Sequence, residues 1–144
     1  MPSSLHRTLC MLVVAGTFAG GCQNKVGQCN ELVGAIQKHT TGVKDAVDRL
    51  ADVERDPSVA EAFGKLTKEA HTDIGKLEFS DARLAELRGD YLALLDRAEA
   101  WSRELAEAAR TGDVQTLGEV KREAVAVAER EIAIVDAVNE YCQG

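Results

Sequence analysis

The chain has 144 residues, a single-domain length, with a formal net charge of −7 and only 4% aromatic residues. An acidic body of this kind does not neutralise phosphates, which argues against a nucleic-acid partner, and anionic headgroups would repel its surface. With two prolines, no Gly/Ser/Pro-rich linker and no long like-charge block, it gives no sign of a disordered tail.

The first segment, Met1 to Arg7, carries His6 and Arg7 and no acid, and Thr8 to Ala19 is then almost wholly apolar. A basic start, a short apolar middle and a small-residue exit predict a secretory signal peptide over residues 1–21. The apolar run is too short to span a bilayer, which needs about 20 such residues. The alternative, a buried segment of a cytosolic protein, has against it that no comparable run occurs elsewhere. The segment ends in Phe18-Ala19-Gly20-Gly21-Cys22. Ala19-Gly20-Gly21-Cys22 resembles the lipobox of bacterial lipoproteins, with alanine where leucine is most frequent. The resemblance implies that Cys22 carries diacylglycerol, becomes the first mature residue and holds the protein to a membrane through lipid. Two or three acyl chains, at about 0.8 kcal/mol per buried methylene, make such attachment effectively permanent. Gln23 in place of an aspartate after that cysteine implies, by the same resemblance, the bacterial outer membrane. Loss of Arg7 with the leader takes the net charge from −7 to −8. Residues 22–28 are expected to form a short tether, about 20 Å when extended, and residues 29–144 the folded domain.

Three turn signals then divide the chain into four amphipathic segments. At Asp56-Pro57-Ser58, either Asp56 caps a helix with Pro57 at its first position, or Ser58 caps with Glu61 three residues on. At Phe79-Ser80-Asp81, Ser80 is the expected cap, with Asp81 favourable at the positive end of the helix dipole. At Thr111-Gly112-Asp113, the glycine ends one helix and the aspartate caps the next. The first segment repeats apolar residues every seven positions, Cys29, Ile36, Val43 and Leu50 with Leu32, Ala46 and Val53. The second is shorter and contains Gly64 and Gly75, each costing about 1 kcal/mol against alanine, so it is expected to be the least stable. The third places Leu84, Tyr91, Ala98 and Leu105 beside Leu87, Leu94, Trp101 and Ala108. The fourth combines Leu117, Ala124 and Val138 with Val120, Val127, Ile134 and Tyr141, widened by Ala128 and Val135. A stripe this wide predicts a globular bundle rather than a two-stranded coiled coil.

Of the four cysteines, Cys10 leaves with the leader and Cys22 is the implied lipid carrier. That leaves Cys29 and Cys142 as a pair in an oxidising compartment. They stand at the start of the first helix and the end of the fourth, which share one end in an up-down-up-down arrangement. The expected fold is therefore all-α, an antiparallel up-down-up-down four-helix bundle closed by a Cys29–Cys142 disulfide. The alternative is two chains cross-linked through these cysteines in a longer coiled coil.

Three polar residues fall on core-facing positions: His39, Asp73 and Glu131. With Cys29 and Cys142 joined, His39 and Glu131 lie at nearly equal height, and counting across the first turn brings Asp73 or Thr72 level with them. Arg88 is expected near the same height. The sharp reading is a site in which one imidazole and two carboxylates bind a divalent metal or hold a proton. The bland reading, given greater weight, is a satisfied polar layer that fixes register, so no metal ligands and no catalytic residues are assigned. There is no Cys-x-x-Cys-His, no Glu-x-x-His and no phosphate-binding glycine loop, and both methionines lie in the leader. No cofactor is expected beyond the covalent lipid on Cys22. The leading expectation is a non-enzymatic, lipid-anchored envelope protein that binds another envelope protein, with an apolar groove beside the second helix. The alternative is a small-ligand or metal carrier built around His39.

Overall fold

The computed structural model describes residues 19–144, with side chains from Asn24 onward. The expected leader through residue 18, and the side chain of Cys22 with its expected lipid, lie outside the described residues. Four helices make up the described residues: α1 (Ala19–Arg49), α2 (Ser58–Gly75), α3 (Ala82–Thr111) and α4 (Val114–Gln143), with a 3-10 turn (Leu50–Asp52) after α1. No helix of the described residues is long and apolar enough to cross a membrane.

The caps explain where the helices begin. Asp56 accepts from the Ser58 amide at 3.1 Å, so α2 starts through Asp56 and Pro57 rather than through Ser58 and Glu61. The start of α3 corrects the sequence reading. Asp81 is the cap, accepting from the Arg83 and Leu84 amides, while the Ser80 hydroxyl accepts from Gln28 at 3.1 Å. Asp113 caps α4 through the Thr116 amide at 3.0 Å, and Gly112 ends α3 at φ 68°, a left-handed conformation that favours glycine.

The helices run up, down, up and down, and Cys29 and Cys142 are joined at the common end of α1 and α4, with Cα atoms 5.7 Å apart. Residues 22–28 are helical, continuous with α1. Seven residues of helix rise about 10 Å, half the extended reach. Gln28, expected in the tether, is buried and donates to Ser80 while its carbonyl oxygen accepts from the Asp81 amide at 3.0 Å. Pairing α1 with the α2–α3 connection outweighs the freedom the segment would keep as a linker.

The core falls into two halves. Near the disulfide, Leu32, Ile36, Ile74, Leu84, Leu87 and Val138 pack together. Toward the other end, Val53, Phe63, Trp101, Leu105, Leu117 and Val120 do so. Phe63 meets Trp101 edge-to-face, with ring centres 5.4 Å apart, and the Trp101 indole N–H donates to the Val120 carbonyl at 2.6 Å. Val127 touches both halves. Between them the bundle has a waist. Helix α1 buries no residue between Ile36 and Ala46, and α4 buries none between Val120 and Ile134.

Candidate functional site

The waist holds a cavity of about 130 Å³. Its floor comes from α2 and α3: Phe63, Thr67, Ala70, Tyr91, Leu94, Leu95, Ala98 and Trp101, all buried. Its mouth comes from α1 and α4: Thr40, Val43, Val47, Ala124, Val127 and Ala128, all half-buried or exposed. The opening therefore lies along the α1–α4 seam, not beside the second helix where an apolar groove was expected. Side-chain size explains the space. Ala70, Ala98, Ala124 and Ala128 converge on one level from three helices, and each has a methyl where a leucine would fill the gap.

Two of the three core-facing polar residues border this cavity. His39 and Glu131 line it, and Asp73 does not. His39 Nε2 is buried and lies 3.2 Å from Asp73 Oδ2, close enough for a charge contact but without hydrogen-bond alignment. Asp73 is engaged elsewhere. Lys38 donates to it at 2.6 Å and Lys76 at 3.3 Å, and these ammonium groups pull its carboxyl down to about 2. Glu131 stands apart from this pair and accepts the Tyr91 hydroxyl at 3.3 Å. Burial first, and the Glu131 carboxylate second, push the Tyr91 phenol well above its usual range, so it remains a donor. Among the described residues no group of three or more His, Cys, Asp or Glu is arranged to hold a metal ion. Arg88 donates instead to the Leu77 carbonyl, just past the end of α2.

The sequence reading singled out His39, Asp73 and Glu131 but not Tyr91, whose heptad phase marked it only as core. Its hydroxyl reaches across from α3 to α4, which needs the neighbouring helix to be seen. The arrangement suits binding more than chemistry: an apolar floor with three aromatic side chains, Phe63, Tyr91 and Trp101, and, at the rim, one carboxylate and one imidazole. No protein family, curated protein or solved structure matches this chain.

Proposed function

We propose that this is a non-enzymatic, lipid-anchored protein of the bacterial envelope whose helical bundle carries a small ligand with a largely apolar body. The cavity at the waist carries the reading, because it is apolar below, polar at its rim and open along one seam. A dry cavity of about 150 Å³ lined by aliphatic and aromatic side chains accepts a benzene-sized molecule, and this one is close to that size. The lipobox-like Ala19-Gly20-Gly21-Cys22 supports the anchor, and Gln23 supports the outer membrane as its location. The short helical run from Cys22 to Cys29 would then hold the disulfide end next to the bilayer. Native mass spectrometry of the protein released from detergent-solubilised membranes tests both parts. The expected spectrum has acyl mass on Cys22 and a bound small molecule that Ala124→Leu eliminates. An unacylated chain, or one with no adduct in any preparation, removes the corresponding half of the proposal.

A second reading, docking of another envelope protein, draws on Val125 and Ile132. They are 59% and 63% exposed and stand one heptad apart on α4. Ile132→Asp is expected to abolish capture of such a partner while leaving ligand binding intact. Capture that survives this change counts against this reading.

A further inference from the structure

The carrier reading leaves the ligand's polar end undefined, and the charges around the cavity supply it. Glu131 is the one carboxylate on the cavity wall, half-buried, with a single protein donor in Tyr91. Among the described residues no lysine, arginine or histidine lies within ion-pairing distance of it, whereas Glu61, Glu123 and Asp73, which also lie between helices, each have a cation. A half-buried carboxylate with an apolar floor beneath it is costly to leave without a counter-charge. Tyr91 lines the same cavity with its hydroxyl on Glu131, and aromatic faces attract cations held within about 6 Å. His39 borders the same cavity from α1, but its Nε2 is buried against Asp73, so it offers the cavity no competing cation beside Glu131. A chain of net charge −7 draws cations toward itself.

We infer that the ligand is an organic amine, with its ammonium against Glu131 and Tyr91 and a compact apolar body in the alanine-walled space beneath. This inference rests on the carrier reading and narrows it to one chemical class. An anionic amphiphile would set its charge against Glu131. A neutral one would leave Glu131 without a counter-charge. The cavity volume limits the body to about the size of one six-membered ring.

The test is titration of the full chain with three probes of one shape: benzylamine, benzyl alcohol and toluene. Ala124→Leu, which fills the cavity from α4, serves as the blank for partition into detergent. The expected result is benzylamine binding at least about tenfold more tightly than benzyl alcohol, as a charge-assisted hydrogen bond is roughly twice as strong as a neutral one. Glu131→Gln should erase that preference while toluene and benzyl alcohol still bind. Equal affinity for the amine and the alcohol, or a preference that survives Glu131→Gln, overturns the amine assignment and leaves the carrier reading standing. Failure of all three probes, or binding that Ala124→Leu does not remove, overturns the carrier reading itself.

Discussion

The Tyr141 hydroxyl donates to Asp81 Oδ2 at 2.8 Å, joining the last turn of α4 to the residue that caps α3. Asp81 is thereby shared by three elements, since its amide also donates to Gln28 on α1. The Lys25 ammonium lies 4.2 Å from the centre of the Tyr141 ring, adding a cation–π contact at the same end. Helices α1, α3 and α4 thus converge on a polar knot at the disulfide end.

The disulfide itself should dominate that end. It spans 113 residues of sequence, and a loop of that length corresponds to about 4–5 kcal/mol in the chain-entropy account. Reduction, or Cys142→Ser, is expected to lower the denaturant midpoint accordingly while the helical circular dichroism persists under native conditions. Midpoints that coincide with and without reductant would show that the bridge adds nothing.

At Gly64, α2 lies close against α3. A Cβ there would press on the Ser102 hydroxyl, which is buried and donates to the Glu99 carbonyl at 2.7 Å. Gly64→Ala is therefore expected to forfeit the roughly 1 kcal/mol that alanine gains in an exposed helix and to destabilise the protein. Adding Ser102→Ala removes the clashing oxygen and should recover that loss, a coupling of about 1 kcal/mol or more in a double-mutant cycle. Strict additivity of the two changes would contradict the close approach.

Tyr91 and Tyr141 are the only tyrosines in the chain, so alkaline spectrophotometric titration resolves them. Burial raises the Tyr91 phenol above its unfolded value of about 10. Its contribution to stability is fully present below that pH and is lost as pH rises through the folded value. The expected curve shows Tyr91 lagging until the protein unfolds, and Tyr91→Phe should abolish the lag. An early, reversible ionisation of both phenols would place Tyr91 in water.

Asp73 behaves in the opposite sense. Hydrogen bonds from Lys38 and then Lys76 lower its carboxyl to about 2, below the ordinary value of about 3.9. Its stabilising contribution is present above pH 4 or so and disappears as pH falls through about 2. Carboxyl NMR should follow that titration directly, and Lys38→Met should shift it upward. A titration unmoved by the substitution would mean that the Lys38 contact does not persist in solution.

Much of this architecture can be read from seven-residue spacing and turn chemistry. Gly112 and Asp113 mark their helix boundary because only local contacts are involved, the left-handed Gly112 backbone and the Asp113 carboxylate on the Thr116 amide. Ser80 misleads because its hydroxyl is taken by Gln28, more than fifty residues away. The same distant contact makes residues 22–28 helix rather than tether. Glu131 is legible as a polar residue on a core face, and its proximity to the height of His39 follows from antiparallel counting. The cavity is not legible, because an alanine at a heptad position looks like ordinary small packing. Only the convergence of Ala70, Ala98, Ala124 and Ala128 on one level turns four unremarkable residues into a void.

Because α1 and α4 are covalently fastened at one extremity, unpacked along their middle and packed into a shared core again at the other, their seam is a slot closed at both ends. Under the carrier proposal a guest passes through that slot, with the crosslinked end as its nearer pivot. Cutting the bridge frees the pivot, and the rate of exchange, more than the affinity, is the quantity that should change.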